Sequence, residues 1–252
     1  MFPLWRFKIL IMKGIVLAGG RATRLRPLTL VTSKQLLPVY DKPMVYYPVN
    51  TLIKAGIKDI LIIIAPEYSG HYLNYLGTGE DFGAHFSYIV QKEPRGLADA
   101  FILGKNFIGN DNVTMILGDN IFDQDFSSEI NLFTSGAMVF AKKVSNPESF
   151  GVVEFDQNKQ VVSIEEKPQQ PKSNYAVVGL YTYDSSVIQK AENLQPSARG
   201  EIEITDLNNL YLKEGKLKVN IFDSIWEDAG SFDGLLRVGN YMANKIKLTD
   251  TK

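Results

Sequence analysis

Short apolar runs alternate with helix-length segments through the first half of this 252-residue chain. Such runs, nearly free of polar residues, are typical of strands buried on both faces of a sheet. The segment "MVYYPVNTLIKAG" predicts a helix with Pro48 in its first turns, where proline costs least, and Gly56 at its end. Strand–helix alternation implies right-handed crossovers, so we expect an α/β fold with a Rossmann-like, mainly parallel (mixed) sheet flanked by helices. The predicted strands are "GIVLA" at 14–18, "DILIII" at 59–64, "HFSYIVQ" at 85–91 and "VTMILGD" at 113–119.

Short β-rich pieces dominate the chain after Gly136, among them "GAMVFAKKV", "QVVSIEEKP" and "YAVVGLYTYD". A helical run "EIEITDLNNLYLKEG", a strand "KLKVNIF" and a last helix from about Ser231 to Lys247 follow. No repeat, low-complexity tract or long linker divides the chain. We therefore expect a single domain over residues 12–252. Its parts are a first half (12–135), a β-rich half (136–230) and a C-terminal helix (231–252).

The opening segment "MFPLWRFKILIMKG" is apolar but contains Arg6 and Lys8. It is too short to span a membrane and lacks a small-residue cleavage site. We interpret Met12 as the natural start and residues 1–11 as an N-terminal extension. An edge segment or a weak membrane anchor is the alternative interpretation.

Composition excludes several kinds of functional site. The chain has no cysteine, which excludes disulfides, thiolate metal sites and a cysteine nucleophile. With only two histidines, a histidine-rich metal site is disfavoured. The net charge of −1 supplies no overall field that would attract nucleic acid or an anionic membrane. We therefore expect neither nucleic acid nor a membrane as a partner. We also expect a cytoplasmic location, with which the absence of cysteine agrees.

A loop rich in glycine and arginine follows the first predicted strand, in "GIVLAGGRATRLRPLT". Ligands of open α/β sheets collect at the carboxyl ends of the strands. At such an end, Gly19 and Gly20 would let backbone N–H groups approach a phosphate closely. The side chains of Arg21, Arg24 and Arg26 offer positive charge and forked hydrogen bonds. The loop matches neither the Walker A motif nor G-x-G-x-x-G, and a tight turn with solvated arginines is the structural alternative.

Together with "SKQLLPVYDKPMVYYP", this loop resembles the corresponding segments of the sugar-1-phosphate nucleotidyltransferases. The resemblance covers roughly residues 12–244, and within the family it favours the members that use dTTP and glucose 1-phosphate. It implies a GT-A-like nucleotidyltransferase fold whose first half binds the nucleotide and whose β-rich half binds the sugar phosphate. Further matching blocks are "LGDNIF", "FGVVEFD", "EEKP", "PKSNYAVVGLY", "PSARGEIEITD" and "WEDAG".

The resemblance implies a reaction in which a phosphate oxygen of glucose 1-phosphate attacks the α-phosphorus of dTTP. The products would be dTDP-glucose and pyrophosphate, the first step of the route to dTDP-L-rhamnose. Two polyanions must then be held in line while charge on the leaving group is neutralised, so the site needs cations aimed at both. In the family the cofactor is Mg²⁺, and the members are homodimers or homotetramers.

On the nucleotide side, the resemblance implies that Arg24 stabilises the leaving group and that Lys34 faces the phosphates. It also implies that Asp119 and Asp228 hold Mg²⁺, an ion that takes one or two carboxylates together with substrate phosphates. Other acids near this pair are interpreted as loop or outward-facing residues: Asp123, Asp125 and Glu227. The implied nucleotide-binding residues are Leu17, Ala18, Gly19, Gly20, Thr23, Arg24, Lys34, Gln35, Gln91, Gly96 and Asp119.

On the sugar side, Lys167 matches a lysine that binds the sugar phosphate, and Arg199 matches a second cation near it. Glu166 matches a carboxylate that accepts hydrogen bonds from sugar hydroxyls, whereas alternation along the strand makes Glu165 its outward neighbour. The implied sugar-phosphate-binding residues are Asn120, Gly151, Glu166, Lys167, Val177 and Arg199. The implied catalytic residues are Arg24, Lys34, Asp119 and Lys167.

Base recognition is expected in "YIVQKEPRGLADAF", where Gln91 and Gly96 match residues that meet the pyrimidine. A glutamine amide can pair with an imide N–H and a carbonyl, which rejects cytosine through mismatched donors. Thymine and uracil differ by one methyl group, worth only about 1–3 kcal/mol, so dTTP over UTP is expected to be a preference. Arg95 and Asp99 stand where relatives more often have Asp and Gln, which leaves the fine base preference open.

Another departure concerns Ala22, which stands where the family loop commonly has glycine. Alanine costs roughly 1 kcal/mol or more if this position needs a positive φ, and nothing if it needs only a small side chain.

Longer members carry a further helical segment that helps form a second, regulatory nucleotide site. Because the given chain ends at Lys252, we expect feedback through such a site to differ.

Two rival functions remain at this point. A uridylyltransferase would catalyse the same reaction with UTP, but the sequence of its lysine segment usually differs from "SKQLLPVYDKPM". A non-catalytic sugar-nucleotide-binding protein would be expected to lose a metal-binding aspartate or the loop arginine, and this chain keeps both. Release of pyrophosphate with each nucleoside triphosphate distinguishes the three.

Overall fold

The computed structural model describes residues 11–20 and 22–250, which form one large sheet with helices packed on it. Of the predicted N-terminal extension, only Ile11 lies within the described residues. The strands are β1 Met12–Ala18, β2 Pro38–Val39, β3 Lys42–Pro43, β4 Asp59–Ile64, β5 His85–Val90, β6 Asn112–Leu117, β7 Asn120–Phe122, β8 Ala137–Lys143, β9 Gly151–Phe155, β10 Val161–Glu166, β11 Tyr175–Tyr183, β12 Leu217–Ile221 and β13 Trp226–Asp228. The α-helices are α1 Tyr46–Lys54, α2 Ser69–Leu76, α3 Asp99–Leu103, α4 Lys105–Ile108, α5 Ser127–Asn131, α6 Val187–Asn193, α7 Ile204–Lys213 and α8 Phe232–Asp250.

A nine-stranded sheet runs in the order β10-β9-β11-β6-β1-β4-β5, with β8 paired to β11 and β12 to β8. Strands β6, β1, β4 and β5 are parallel neighbours, and β11 joins them antiparallel to β6. The mixed, mainly parallel sheet predicted from the sequence is thereby confirmed. Strands from both predicted halves, 12–135 and 136–230, belong to this one sheet.

Helices cover both faces of the sheet because side chains of each strand alternate between the faces. On β1, Ile15 and Leu17 join a core with residues of α3, α4, α6 and α7, whereas Val16 and Ala18 join a core with residues of α1, α2 and α5. A third, smaller cluster packs Val238 of α8 against residues of the β2 and β7 region. Among the described residues, no helix is both long and apolar enough to cross a bilayer.

Local sequence signals account for most element boundaries. Pro48 is the third residue of α1, where its missing N–H would have no helical partner, and Gly56 follows the helix at φ 82°. The helix predicted from Glu201 begins only at Ile204, because Glu203 before it is extended. The last helix starts at Phe232, within one residue of the predicted start.

Candidate active site

The glycine loop lies at the carboxyl edge of the parallel strands. It follows Ala18 of β1, and the neighbouring β6 ends beside it, where the N–H of Gly118 donates to the carbonyl of Leu17 at 2.9 Å. Gly20 adopts φ 104°, a conformation that disfavours a side chain. The loop therefore lies where the sequence analysis expects it, at the ligand-binding edge of the sheet.

A buried polar network supports this loop from behind. Gln35 is only 2% exposed, and its Oε1 accepts a hydrogen bond from Ser33 Oγ at 2.8 Å. Tyr72 Oη donates to the carbonyl of Ala18 at 3.2 Å, and burial raises the pKa of Tyr72, which keeps the phenol protonated. Gln35 Nε2 reaches the carbonyl of Gly19 at 3.5 Å. Gln35, predicted to bind the nucleotide, thus contacts the loop that would do so.

The side chain of Arg24 extends from a 3-10 helix, Thr23–Leu25, that buried Leu25 anchors. Its side chain is 65% exposed, and its Nη2 lies 3.6 Å from Asp228 Oδ2. Arg26 is exposed. Arg21 lies outside the described residues.

Ala22 adopts the left-handed conformation, with φ 46° and ψ 42°. Alanine is strained there because its Cβ approaches the following carbonyl oxygen, at a cost of about 1–2 kcal/mol. The carbonyl of Ala22 accepts a hydrogen bond from Thr29 Oγ1 at 2.9 Å, which holds the turn in this shape. The sequence analysis left open whether this position needs a positive φ. In the structure, the φ of Ala22 is positive.

Replacing Ala22 with glycine should therefore raise the free energy of unfolding by up to about 1 kcal/mol, since glycine relieves the strain at some cost in unfolded-state entropy. Urea denaturation measures the change. Ala65, with an extended backbone at φ −75°, is the matched control, and Ala65→Gly should destabilise. A glycine at position 22 that lowers stability would contradict the assigned strain.

Asp119 and Asp228 are brought together by a two-stranded ladder. Strand β7 pairs antiparallel with β13, so that Asn120 lies opposite Asp228, and the N–H of Ala229 donates to the carbonyl of Asp119 at 2.9 Å. A Cβ on Gly230 would lie 2.7 Å from Asp228 Oδ1 and 3.1 Å from Asp119 Oδ2. The same point lies 2.7 Å from Arg24 Nη2. Both carboxylates and the loop arginine therefore converge on one small space.

Opposite electrostatic environments act on these two carboxylates. Burial alone would raise the pKa of Asp119, but the charge and hydrogen bond of Lys34, whose Nζ lies 2.5 Å from Oδ2, lower it. Burial and the negative charge of Asp119 raise the pKa of Asp228. Ionisation of Asp228 is therefore disfavoured in spite of the nearby positive charges of Arg24 and Lys34.

This donor set fits Mg²⁺. Hard carboxylate oxygens suit the ion, which keeps several waters and otherwise binds substrate phosphates. Burial and the negative charge of Asp119 both raise the pKa of Asp228, and a divalent cation beside the pair would offset both effects. Within residues 11–20 and 22–250, no cluster of three or more His, Cys, Asp or Glu offers an all-protein metal cage.

Glu166 lines the same cleft as Asp119 and Asp228. Its Oε2 accepts a hydrogen bond from Thr205 Oγ1 at 2.6 Å, and a Cβ on Gly151 would approach both groups. Arg199 lies 3.5 Å and Lys167 3.6 Å from Glu166 Oε1. The carboxylate is fixed by Thr205 on one oxygen and faces two cations with the other.

Buried Glu203 holds Arg199 in place. Glu203 is 8% exposed and accepts hydrogen bonds from Arg199 Nε at 3.2 Å and Nη2 at 2.8 Å. This forked pairing fixes the plane of the guanidinium. Lys167 has no comparable clamp within the described part of the chain; it adopts φ 46°, and its N–H donates to the carbonyl of Phe150.

Asn120 forms hydrogen bonds with Asp119, Gly179 and Trp226. It is 4% exposed, and its Nδ2 donates to Asp119 Oδ1 at 3.2 Å. Its Oδ1 accepts from the indole of Trp226 at 2.7 Å and from the N–H of Gly179 at 3.0 Å. Asn120 therefore orients the Asp119 carboxylate and links it to Trp226 and Gly179.

A cleft of about 1110 Å³ is lined by half of the predicted site residues, whereas the following predicted nucleotide-binding residues lie outside its lining: Leu17, Ala18, Gly19, Gly20, Thr23, Lys34 and Gln35. Gln91 and Gly96 lie outside its lining, but Gln91 Oε1 would lie 2.8 Å from a Cβ on Gly19, beside the glycine loop. A Cβ on Gly96 would lie 2.4 Å from the carbonyl of Ile202, so only glycine fits there. The predicted residues that line the cleft are Arg24, Asp119, Asn120, Gly151, Glu166, Lys167, Val177, Arg199 and Asp228.

Some site residues escaped the sequence analysis. Thr205, Glu203 and Trp226 lie within quoted blocks, but nothing in their spacing revealed their partners. Tyr181 also lines the cleft, and burial raises its pKa, so its hydroxyl stays protonated.

The acids interpreted as loop or outward-facing residues have partners other than Asp119 and Asp228, although Glu227 also lines the cleft. Asp123 contacts Tyr241 and Lys245, and Glu227 pairs with Arg237 at 3.0 Å. Asp125 accepts from the N–H of Ser127 at the start of α5.

Comparison with known proteins agrees with this arrangement. The sequence profile described as Nucleotidyl transferase matches residues 13–245. A glucose-1-phosphate thymidylyltransferase of Neisseria meningitidis is 55% identical over 237 residues, covering 92% of this chain and 82% of the relative. Another, from Mycolicibacterium smegmatis, is 52% identical over 236 residues, with the same two coverages.

Solved structures also superpose on this fold. A Bacillus anthracis protein assigned as a glucose-1-phosphate thymidylyltransferase, in complex with sucrose, superposes with a TM-score of 0.87 at 47% identity, covering 91% of this chain and 94% of that one. A UDP-glucose pyrophosphorylase complexed with UDP-glucose superposes with a TM-score of 0.83 at 25% identity, covering 94% of this chain and 100% of that one. The chain belongs to the nucleotidyl transferase family, among its glucose-1-phosphate thymidylyltransferases.

Proposed function

We propose that this chain transfers a thymidylyl group from dTTP to α-D-glucose 1-phosphate. An oxygen of the sugar phosphate attacks the α-phosphorus, the bond from the α-phosphorus to the bridging oxygen breaks, and pyrophosphate leaves with that oxygen. The observation that carries the proposal is the convergence of Asp119, Asp228 and Arg24 on one small space in a cleft that Lys167 and Arg199 also line.

The repulsion between two polyanions is the main physical difficulty of the reaction, and the cations of the site would offset it. Arg24, largely exposed at the loop, is free to meet the triphosphate and stabilise charge on the leaving pyrophosphate. Lys34 faces the same phosphates from beside Asp119. Lys167 and Arg199 neutralise the incoming sugar phosphate, so that the two reactants can approach in line.

Asp119 and Asp228 would hold Mg²⁺, which when bound screens phosphate charge and polarises the α-phosphoryl group. The protein groups around the pair have defined parts. Lys34 keeps Asp119 ionised, as the lowered pKa of this residue indicates, and Asn120 fixes the orientation of its carboxylate. Both effects prepare the pair for a cation.

Glu166 would accept hydrogen bonds from glucose hydroxyls, held in orientation by Thr205. Backbone groups of Gly151 and Val177 complete the sugar pocket, and Gly151 has no side chain to fill the space beside Glu166. Such acceptors discriminate among sugars, because an analogue that lacks a hydroxyl leaves a buried group unpaired.

The nucleoside would lie along the glycine loop, with Leu17, Ala18, Gly19, Gly20 and Thr23 supplying close contacts. Its base would contact Gln91, whose side chain lies beside Gly19 of that loop, and Gly96, five residues further along the chain. A preference for dTTP over UTP would rest on one methyl group, about 1–3 kcal/mol. The uridylyltransferase alternative finds support in the likeness to a UDP-glucose pyrophosphorylase.

The proposal is tested by incubating the chain with glucose 1-phosphate, Mg²⁺ and each nucleoside triphosphate while pyrophosphate release is followed. We expect release with dTTP, slower release with UTP, and little with purine triphosphates. Equal rates with all of them would contradict base recognition. No release with any would favour the binding-only alternative.

Several broader expectations belong to this proposal. The reaction would supply dTDP-glucose for deoxysugar synthesis in the cytoplasm, where nucleoside triphosphates are abundant. A homodimer or homotetramer is supported by Phe232 and Leu236 of α8, which are 47% and 64% exposed. Residues 12–135 and 136–230 would serve as the nucleotide and sugar-phosphate halves.

A further inference from the structure

A buried acid outside the proposed chemistry touches the base-reading amide. Asp99, the first residue of α3, is 1% exposed. Its Oδ2 accepts a hydrogen bond from Gln91 Nε2 at 2.9 Å, and its Oδ1 accepts one from Arg95 Nη2 at 2.6 Å. The carboxylate is therefore shared between an amide on one side and a guanidinium on the other.

This contact fixes which way the Gln91 amide faces. An ionised carboxylate only accepts hydrogen bonds, so Gln91 must present its NH₂ group to Asp99. If the amide turned over, its Oε1 would face Asp99 Oδ2 with no proton between them, an uncompensated contact in a buried place. Gln91 Oε1 consequently faces Gly19 and would lie 2.8 Å from a Cβ on that residue.

We propose that Asp99 is a positioning residue that sets base specificity by locking the Gln91 amide in this orientation; the inference rests on the proposed function. The locked amide offers an acceptor and its second N–H as a donor, side by side. That edge complements the N3–H and a neighbouring carbonyl of thymine or uracil. Cytosine has an acceptor at N3 and an amino donor beside it, so it pairs only with the turned amide.

Arg95 makes the proposal testable by an isosteric change. In Asp99→Asn, the guanidinium of Arg95 would select the carbonyl oxygen of the introduced amide, because a guanidinium can only donate. The NH₂ group of the introduced amide is then directed at Gln91, whose Oε1 must turn toward it to accept the hydrogen bond. The Gln91 NH₂ group would then face the base, the arrangement that suits cytosine.

The experiment compares kcat/KM for dTTP and dCTP in the wild type, Asp99→Asn and the double variant Arg95→Met/Asp99→Asn. We expect Asp99→Asn to lower the dTTP:dCTP ratio by about 5- to 150-fold, the discrimination of one bidentate pair, with dCTP turnover rising in absolute terms. Without Arg95 the introduced amide can face either way, so the double variant should fall between. Asp111→Asn, the same change in an ion pair with Lys13, should leave the ratio unchanged.

The outcomes separate a positioning role from a structural one. Loss of fold or of pocket shape would lower turnover of both triphosphates together, and an unchanged ratio in Asp99→Asn would overturn the inference while leaving the proposed function intact. Calorimetric binding of dTDP and dCDP to the same variants gives a readout independent of turnover, and the affinities should shift in opposite directions. Failure of the wild type with every triphosphate would overturn the proposed function itself.

Discussion

Replacing Arg24 with alanine should lower kcat by about 100- to 1,000-fold, the usual loss when one positioned donor to developing charge is removed. The guanidinium is largely exposed, so the fold should survive. Because Arg24 is assigned to charge on the leaving pyrophosphate, kcat should fall more than the KM for glucose 1-phosphate rises. Steady-state kinetics of pyrophosphate release measure both.

Arg26 is the matched control for this variant. It lies two residues along the same loop and is exposed. Arg26→Ala removes the same charge from the loop and should leave kcat within about threefold, as surface changes usually do. Equal losses in the two variants would mean that overall positive charge, and no specific contact of Arg24, drives the reaction.

Asp119→Asn and Asp228→Asn should each lower activity by at least about 100-fold, because the metal contributes several kcal/mol of charge stabilisation. Their effects on folding without Mg²⁺ should differ in sign. The pKa of Asp119 is lowered in the folded protein, so its ionised form stabilises the fold above its ordinary pKa. The pKa of Asp228 is raised in the folded protein, so the free energy of unfolding falls as the pH rises from the ordinary pKa of an aspartate through the raised pKa.

At neutral pH in EDTA, urea denaturation should therefore find Asp119→Asn less stable and Asp228→Asn more stable than the wild type. Asp119→Asn also leaves the partly buried Lys34 without its carboxylate partner, which adds to the loss. The amide introduced by Asp228→Asn can still accept the hydrogen bond from the N–H of Gly230, so the local turn is kept. Destabilisation by both changes to a similar extent would contradict the assigned repulsion between the carboxylates.

The sequence predicts the regular part of the fold well because burial leaves a strong periodic signal. The strand predicted at 59–64 has the bounds Asp59–Ile64 in the structure, since its apolar run has sharp polar and proline borders. Gly56 likewise marks the end of α1. Short elements carry no such signal: α5 and the two-residue β2 and β3 were not anticipated.

The site was harder to predict, because its geometry depends on a pairing between distant residues. Asp119 and Asp228 meet through the three-residue strands β7 and β13, which are too short for any pattern to reveal. Their common role was implied by resemblance alone. The Asp99–Gln91 contact needed coordinates for the same reason, since two residues eight apart in a turn have no fixed spatial relation.

A crystal structure of the chain with dTDP-glucose and Mn²⁺ in place of Mg²⁺ tests the central claim most directly, because anomalous scattering locates the ion itself. The account predicts an anomalous peak bound by both Asp119 and Asp228, with the diphosphate between Arg24 and Lys167. A peak elsewhere, or a diphosphate remote from either cation, would contradict it.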